Sequence, residues 1–268
     1  IRDSAGLVPS LAAIQSSKDL ALANKETLVI AGELILRAAK NKINLIPIDS
    51  EHSAILQALN GEKKERIQKI ILTGSGGPFR TFTKEQMANV TIKEALNHPN
   101  WTMGAKITID SATMMNKVFE VIEAQRIFDI ELKKFKILVH PNSYVHSIVK
   151  FNYGSRKILV HDTNMKIPIF NTLYQNSNKK LKSNKLSIEK LNNLNFKAVN
   201  KKKFPIINIL NHVSKKFSLY ETVIVSANDL LVELFLEGRP SEAISKKFYQ
   251  GNINALFKIR NVDVKEFQ

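Results

Sequence analysis

The most constraining feature of the sequence is a nearly continuous apolar run, IQKIILTG (67–74), that ends in a glycine-rich turn, GSGGPFR (74–80). An apolar run of this length that stops at a turn indicates a buried β-strand. A second apolar run, NLIPID (44–49), predicts another strand, and a helical segment, SEHSAILQALNG (50–61), follows it. Strands that alternate with helices through the first half of the chain favour an α/β fold.

The segment SATMMNKVFEVIEAQRIFDI (111–130) is the clearest predicted helix of the chain. Ser111 is placed to cap its N-terminus, just as Ser50 is placed to cap the helix that follows NLIPID and stops near Gly61. The preceding KITID (106–110) is predicted to be a strand. The long helix has one apolar face at helical spacing, formed by Met114, Val118, Val121 and Ile122.

The other segments complete a mixed pattern. LALA (20–23) leads into a predicted helix, NKETLVIAGELILRAAKNK (24–42). Residues 135–161 predict two or more strands, with turns at a proline and a glycine. The segments 204–217 and 221–250 predict an all-helical end. The fold class predicted is therefore α/β, followed by a separate helical module.

Composition excludes several classes of protein. With 268 residues, 44% of them hydrophobic and 24% charged, the chain resembles an ordinary globular protein that is large enough for more than one domain. The absence of cysteine excludes disulfides, thiolate metal ligands and a cysteine nucleophile. No apolar run is long enough to cross a bilayer, so we expect no transmembrane segment and no membrane partner.

The formal net charge of +16 raises the alternative of a nucleic-acid-binding protein. The densest Lys/Asn segment, 176–203, has few aromatic residues to stack on bases. Lys, Asn and Ile are abundant throughout the chain, which indicates a bias in amino-acid usage. A solvated basic linker is therefore favoured over a nucleic-acid site, which would require salt-sensitive binding that depends on these lysines.

The stretch PIDSEH (47–52) places Asp49 and Glu51 close together at the end of a predicted strand. In extended geometry these two side chains lie on the same side. Like charges this close resist ionising together unless a cation or hydrogen-bond donors compensate. Oxygen ligands favour Mg²⁺ or Mn²⁺. The pair taken alone also fits a simple turn or cap.

A third acidic residue strengthens the metal interpretation. Glu120 lies on the long predicted helix, on a polar face of about 100° that also carries Thr113, Asn116 and Lys117. This face could be an exposed surface with a Lys–Glu pair. Alternatively, Glu120 is a third metal ligand, and Asn116 and Lys117 are donors to an anion.

Two loops complete the candidate chemistry. The glycine-rich turn lets the backbone approach a ligand closely and offers the hydroxyl of Ser75, although its spacing is not that of a P-loop. The loop HPNWTMG (98–104) contains the only tryptophan, Trp101, beside a histidine and a methionine. A single tryptophan is usually a core residue, but in this loop it could also be a lid over a ligand.

Together these segments resemble the 1-deoxy-D-xylulose 5-phosphate (DXP) reductoisomerase family, strongly over residues 3–170 and more loosely in the C-terminal region. The resemblance implies isomerisation of DXP and its reduction by NADPH to 2-C-methyl-D-erythritol 4-phosphate, with Mg²⁺ or Mn²⁺, in non-mevalonate isoprenoid biosynthesis. The motifs that carry it are ALANKETLV (21–29), PIDSEHSAILQ (47–57), LTGSGGPFR (72–80), HPNWTMGAKITIDSATMMNKVFEVIEA (98–124) and VHPNSYVHSIV (139–149).

The resemblance also assigns site residues by position. The metal ligands it implies are Asp49, Glu51 and Glu120, which together with Lys25 form the implied catalytic set. The implied substrate contacts, mostly around the phosphate, are Ser50, Ser75, His98, Trp101, Ser111, Asn116 and Lys117. The implied cofactor contacts are Asn24, Lys25, Glu26 and Met103, of which Lys25 also faces the substrate.

The sequence contains no glycine-rich dinucleotide fingerprint, although the family has one in its NADPH-binding domain. We therefore expect the chain as given to have little or no reductoisomerase activity by itself. The division that the resemblance implies is a remnant of a Rossmann-type NADPH-binding domain (1–48), an α/β catalytic and dimerisation domain with a mixed sheet (49–175), a basic linker (176–204) and a C-terminal helical domain (205–268).

An alternative function is that of a non-catalytic phosphosugar-binding remnant, which would bind the substrate with a metal but never turn it over. The partners expected from the resemblance are a phosphorylated sugar and a second copy of the chain, joined through strands around 136–160. We expect no nucleic-acid partner. The expected location is the bacterial cytoplasm or the plastid stroma.

Overall fold

The computed structural model describes residues 3–175, 177–214 and 218–238, and the predicted helix end beyond residue 238 lies outside the described residues. The elements of the first part are α1 (Leu7–Gln15), β1 (Leu20–Leu22), α2 (Lys25–Ala39), β2 (Leu45–Pro47), α3 (Ser50–Leu59), β3 (Ile67–Gly74), α4 (Lys84–Met87), α5 (Ile92–Ala95), α6 (Ala105–Thr113) and α7 (Met115–Phe128). The remaining elements are β4 (Phe135–Val139), β5 (Val145–Phe151), β6 (Arg156–Val160), α8 (Lys166–Leu173), α9 (Ile188–Asn192), β7 (Lys197–Ala198) and α10 (Tyr220–Leu236).

Five strands form one mixed sheet in the order β6-β5-β3-β4-β7. The central strand β3 pairs in parallel with β4, with Ile70 opposite Phe135, and antiparallel with β5, with Leu72 opposite Ser147. Ile70 and Leu72 are fully buried, because helices and neighbouring strands cover this strand. The strand predicted from the apolar run is confirmed with the same bounds.

A smaller sheet lies N-terminal to the mixed sheet in the chain. Strands β1 and β2 pair in parallel, with Leu20 opposite Leu45, and α2 connects them. Parallel strands joined by a helix form the repeating unit of Rossmann-type folds. The α/β fold with a mixed sheet is thus confirmed.

Helix α7 forms the centre of the larger core. The apolar face predicted for it is confirmed, since Val118 and Ile122 are fully buried and Met114 and Val121 are nearly so. Phe119, also fully buried, packs in the same cluster. Because α7 contacts α2, α3 and β3, its polar residues Lys117, Glu120 and Glu123 also lie in the interior.

The prediction of a strand at 106–110 is wrong, because this segment is part of helix α6. Its β-branched residues favoured a strand, but Ile109 packs against Phe79 and Val232 in a small apolar cluster. The Thr108 hydroxyl donates to the Gly104 carbonyl at 2.9 Å, as threonine does within a helix. Tertiary packing therefore overrides the local preference.

The prediction that Ser111 caps the long helix is also wrong. Ser111 lies inside α6, and its carbonyl accepts from the backbone of Met114, which has a left-handed conformation (φ 69°) and separates α6 from α7. Two helices joined at a single left-handed residue replace the one capped helix that the sequence predicts.

The Lys/Asn-rich segment is more than a solvated linker. Residues of β7 pair antiparallel with β4, with Leu138 opposite Ala198, and α9 lies within the same segment. The ring of Phe196 stacks on His140 at 4.8 Å between centroids. The segment therefore contributes an edge strand to the mixed sheet, and the four-part division of the chain stays a prediction.

Helix α10, in the C-terminal region, packs against α2 and α6. None of the helices in the described part of the chain combines the length and the apolar character that crossing a membrane requires. Within the all-helical end predicted for residues 204–217 and 221–250, the described residues form a 3-10 helix (Pro205–Asn211) and α10.

Candidate metal and anion site

Two of the candidate metal ligands lie at the start of α3. Asp49 is the N-cap of this helix, and its carboxylate accepts from the backbone amides of Glu51 at 3.1 Å and His52 at 3.4 Å. The prediction that Ser50 is the cap is therefore wrong by one residue. Ser50 is instead the first residue of the helix, and its hydroxyl donates to the Glu51 carboxylate at 2.7 Å.

Glu120 of α7 approaches both of these acids. One carboxylate oxygen from each of Asp49, Glu51 and Glu120 lies within 4.8 Å of the others. Only 1% of Glu120 is exposed, and Lys117 is 7% exposed, so the interpretation of this helix face as a solvent-exposed surface is wrong. Buried carboxylates in such proximity require compensating cations.

Two lysines provide that compensation. The Lys25 Nζ lies 3.1 Å from the Asp49 carboxylate and 3.5 Å from that of Glu120, and it donates to the Asn116 side-chain oxygen at 2.6 Å. The Lys117 Nζ lies 2.5 Å from Glu120 and 3.2 Å from Glu51. The cluster thus alternates anions and cations, and Asn116 orients Lys25 within it.

The three candidate ligands differ in pKa because their surroundings differ. Burial alone would raise the pKa of Asp49, but Lys25 and His52 hold it well below its usual range. For Glu51, Lys117 likewise outweighs burial and lowers the pKa to about 2. Burial dominates at Glu120, where it raises the pKa to about 7 with added repulsion from the other two acids. At neutral pH the cluster therefore retains two firmly ionised carboxylates.

His52 and Glu123 belong to the same cluster, although sequence reasoning missed both. The fully buried His52 directs Nδ1 toward Asp49 (3.2 Å) and Glu123 (3.4 Å), and its Nε2 lies 2.8 Å from the backbone oxygen of Glu120. Burial opposes protonation of this imidazole, but Glu123 and Asp49 raise its pKa to about 10. His52 thus links two candidate ligands, as histidines beside metal sites commonly do. Its position three residues after Asp49 was the available signal.

A second group of candidate site residues, the anion pocket, lies at the end of β3 and is formed by Ser75 and His98. The Ser75 hydroxyl accepts from the backbone of Gly77 at 3.0 Å and pairs with His98 Nε2 at 3.0 Å. His98 Nδ1 accepts from the backbone amides of Asn100 and Trp101 at 3.2 and 3.0 Å. Because Nδ1 is an acceptor, Nε2 carries the proton and donates to Ser75.

His98 is neutral at physiological pH. Burial, followed by the nearby cations Arg80 and Lys117, lowers its pKa to about 4. Nε2–H is therefore a fixed donor, and the serine hydroxyl hydrogen remains available to a ligand. The surroundings carry positive charge, so the pocket has the properties of an anion site.

Three glycines of the GSGGPFR turn allow this pocket to form. A Cβ at Gly74 would lie 2.8 Å from the Lys117 side chain, and one at Gly76 would lie 3.0 Å from the Arg80 Cβ. At Gly77, which has φ +68°, a Cβ would lie 2.5 Å from the Ser111 carbonyl. The turn therefore packs directly against residues from α7 and α6, and at Gly77 only glycine permits that approach.

The loop between α5 and α6 carries Trp101 and Met103, which are both half-buried. The Trp101 ring lies edge-on to His146 at 6.3 Å, and His146 stacks on His161 at 3.6 Å between centroids. His146 Nδ1 lies 3.9 Å from the Glu51 carboxylate. His146 therefore lies between Trp101 of the loop and Glu51 of the acid cluster.

The other predicted site residues have structural partners. Asn24 caps α2 by accepting from the backbone of Thr27 at 2.8 Å, and Glu26 pairs with Lys106 at 3.1 Å. Lys106 also pairs with Asp110 at 2.9 Å and with Asp229 of α10 at 3.1 Å. This network, which sequence reasoning did not find, joins α2, α6 and α10 beside the site.

The fold and the clustered side chains define an α/β protein with a candidate divalent-metal site next to a candidate anion pocket. Comparisons with known proteins identify the family. Models of the 1-deoxy-D-xylulose 5-phosphate reductoisomerase C-terminal domain, of the DXP reductoisomerase C-terminal domain, and of 1-deoxy-D-xylulose 5-phosphate reductoisomerase match residues 45–128, 161–244 and 1–32, respectively.

Curated relatives support the same family. The chain is 54% identical over 235 residues to 1-deoxy-D-xylulose 5-phosphate reductoisomerase of Pelagibacter ubique (strain HTCC1062), with 87% of this chain and 61% of the relative covered. It is 41% identical over 273 residues to the enzyme of that name from Clostridium botulinum (strain Loch Maree / Type A3), with 98% and 71% covered. The chain thus spans 60–61% of the length of the first two relatives and more of others.

Solved structures agree with the sequence comparison. A DOX-P reductoisomerase in complex with NADPH, fosmidomycin and magnesium matches with a TM-score of 0.83 and 37% identity, over 93% of this chain and 66% of that chain. The Zymomonas mobilis 1-deoxy-D-xylulose 5-phosphate reductoisomerase in complex with NADPH matches equally well, over 97% and 71%. The chain belongs to the 1-deoxy-D-xylulose 5-phosphate reductoisomerase family.

Proposed function

We propose that this chain provides the metal-binding and phosphate-binding part of an enzyme that converts DXP to 2-C-methyl-D-erythritol 4-phosphate by isomerisation and reduction with NADPH. The observation that carries the proposal is the convergence of Asp49, Glu51 and Glu120 beside the pocket of Ser75 and His98. Membership of the family supports it, as do the solved relatives in complex with NADPH and magnesium.

The residues of the cluster fit a hard divalent cation. Three carboxylates offer only oxygen ligands, which Mg²⁺ and Mn²⁺ prefer. The carboxylates of Asp49 and Glu51 are held ionised, and a bound dication would stabilise their charged forms further. We assign Asp49, Glu51 and Glu120 as the ligands, and His52 as the residue that orients Asp49.

The roles of the surrounding residues follow from their contacts. A bound dication would supply Lewis-acid polarisation of the substrate carbonyl. The Lys25 ammonium, oriented by Asn116, would donate to substrate oxygens held beside the acids. Donors around the glycine-rich turn would bind the phosphate, and this remote binding would orient the reacting carbons. The phosphate donors that we propose are Ser75, His98, Ser111, Asn116 and Lys117.

The loop that carries Trp101 would exclude water from the reacting centre. Its ring already contacts His146, which approaches Glu51. The assignments of Met103, Asn24 and Glu26 to NADPH, and of Ser50 to the substrate, rest on sequence resemblance. They stay predictions, as do the homodimer, the expected location, and the low activity of residues 1–268 alone.

The proposal predicts that Glu120→Gln abolishes tight metal binding. The amide has nearly the shape of the carboxylate but lacks its charge, so Mn²⁺ affinity should fall by about 100-fold or more. Titration of Mn²⁺ followed by electron paramagnetic resonance measures the free ion directly. The matched control is Glu65→Gln, which removes one exposed carboxylate and should leave the affinity unchanged. Unchanged Mn²⁺ binding in Glu120→Gln would disprove the three-carboxylate site.

A further inference from the structure

The guanidinium of Arg80 lies beside the anion pocket and close to His98, whose pKa it lowers. The side chain as a whole is half-buried, but its Nη1 is buried and makes no hydrogen bond to any described residue. Among residues 3–175, 177–214 and 218–238, no carboxylate lies within ion-pair distance of this side chain. Arg80 contrasts in this respect with Lys25 and Lys117, whose ammonium groups both contact the acids of the cluster.

An arrangement of this kind is costly in a folded protein. Arginine remains protonated in proteins, so it cannot lose its charge to adapt to burial. A buried charged donor without an acceptor loses its hydration and gains nothing in return. Native structures leave few such groups, and those that remain call for a ligand or a specific role.

The position of Arg80 is set by the same turn that forms the pocket. Its backbone amide donates to the Gly77 carbonyl at 3.4 Å, and Gly76 leaves room for its Cβ. The Lys203 ammonium donates to its carbonyl at 3.0 Å and holds the turn from the other side. Arg80 is thus anchored in the segment that presents Ser75, only five residues further along the chain.

Two other basic side chains, Lys117 and Lys203, lie close to the turn that carries Arg80. Burial lowers the pKa of His98, and the proximity of Arg80 and Lys117 lowers it further. Lys203, whose pKa is lowered by burial, lies against the same turn. Three basic side chains and a neutral histidine donor therefore lie around one turn, an arrangement that attracts an anion.

We propose that the Arg80 guanidinium donates to the phosphate oxygens of the bound substrate and is a further specificity-determining residue of this site. The inference rests on the proposed function and adds a residue to the phosphate contacts assigned above. The ligand class is a phosphate monoester, whose oxygens match the planar fork of a guanidinium. Arg80 then selects the phosphorylated sugar over a neutral one.

The proposal is tested by binding of DXP and of inorganic phosphate to the full 268-residue chain in the presence of Mg²⁺, measured by calorimetry. Arg80→Met should weaken the binding of DXP by about 10- to 100-fold, because it removes charge-assisted hydrogen bonds. Inorganic phosphate, measured as a competitor of DXP, should lose affinity by a similar factor. Arg80→Lys retains the charge without the fork and should give an intermediate loss.

Arg156→Met provides the matched control, since it makes the same change in size and charge at an exposed arginine of β6. Its DXP affinity should equal that of the wild type. This comparison separates a local contact from the general positive field of the chain, which both variants reduce equally.

A stability measurement distinguishes binding from a structural role. Since Arg80 has no partner in the described structure, Arg80→Met should raise the thermal midpoint of the ligand-free chain, while the increase caused by saturating DXP should shrink. A lower midpoint without ligand would assign Arg80 a structural role and overturn the proposal. Unchanged DXP affinity in Arg80→Met would also overturn it.

The outcomes separate this inference from the proposed function. If the wild-type chain binds DXP with Mg²⁺ and Arg80→Met binds it equally well, only the role of Arg80 is wrong. If the wild-type chain binds neither DXP nor phosphate, the proposed function fails and the role of Arg80 fails with it. Mn²⁺ titration of the same samples shows in each case whether the carboxylate cluster is intact.

Discussion

Replacement of Arg126 by methionine is expected to lower the free energy of unfolding by about 3–5 kcal/mol. Arg126 of α7 and Glu221 of α10 form an ion pair at 2.5 Å, and they are 5% and 1% exposed. Removing the guanidinium leaves the Glu221 carboxylate buried with only the Ser218 hydroxyl as a donor from a described side chain. The penalty is the cost of that uncompensated charge rather than the strength of the pair.

The double variant Arg126→Met/Glu221→Leu separates these two contributions. Apolar residues of similar volume often replace a buried ion pair without loss, so the double variant should recover most of the stability. Denaturation by urea, followed by circular dichroism, measures the free energy of unfolding for each variant. Equal losses in the single and double variants would show that packing, not charge, connects the two helices.

The ion pair matters for the site because α7 carries Glu120 and Lys117. Its first turns face the acid cluster, and its last turn is fixed to α10 through Arg126. A second connection, from Lys106 to Asp229, fixes α6 to the same helix. The C-terminal helix therefore stabilises the two helices that line the candidate site, although it contributes none of the proposed ligands.

The strands and helices that the sequence predicted correctly are those in which the spacing of apolar residues matches the faces that are buried in the structure. Strand β3 is apolar because both of its faces are covered, and α7 shows its apolar face at regular spacing. Helix α6 was predicted as a strand because Ile and Thr alternate in KITID. Only the apolar cluster around Ile109, formed with residues distant in sequence, determines its helical state.

The candidate metal ligands could be proposed from sequence because Asp49 and Glu51 lie two residues apart at the start of α3 and Glu120 shares a face with donors. The spacing of these residues in the sequence could not show whether the polar face of α7 that carries Glu120 is exposed or buried. Burial depends on the packing of α7 against α2 and β3, which involves residues far apart in the chain. His52 and Glu123 were missed for the same reason, since their contacts join α3 to α7.

Arg80 illustrates a different limit of sequence reasoning. It lies within the GSGGPFR motif, yet nothing in the motif distinguishes it from a surface arginine. The unusual property is that its buried Nη1 makes no hydrogen bond to any described residue, and this property exists only once the chain is folded. A buried donor without a partner is visible in three dimensions and has no signature in local sequence.

Gly77→Ala is expected to lower the free energy of unfolding by about 2–5 kcal/mol and to weaken phosphate binding. Gly77 has φ +68°, where an alanine is strained by about 1–2 kcal/mol. Its Cβ would also lie 2.5 Å from the Ser111 carbonyl and 3.0 Å from the Ala112 Cα. Backbone atoms of a helix cannot rotate away as a side chain can, so overpacking adds about 1–3 kcal/mol.

Gly61→Ala is the matched control for this substitution. Gly61 has φ +74°, and a Cβ there meets no atom within 4 Å, so it carries the backbone strain without the clash. The difference in unfolding free energy between the two variants isolates the cost of pushing the turn away from α6. Because the displaced turn carries Ser75 and Arg80, calorimetry should show weaker DXP binding in Gly77→Ala and unchanged binding in Gly61→Ala. Equal stability losses in both variants would mean that the close approach of turn and helix does not shape the anion pocket.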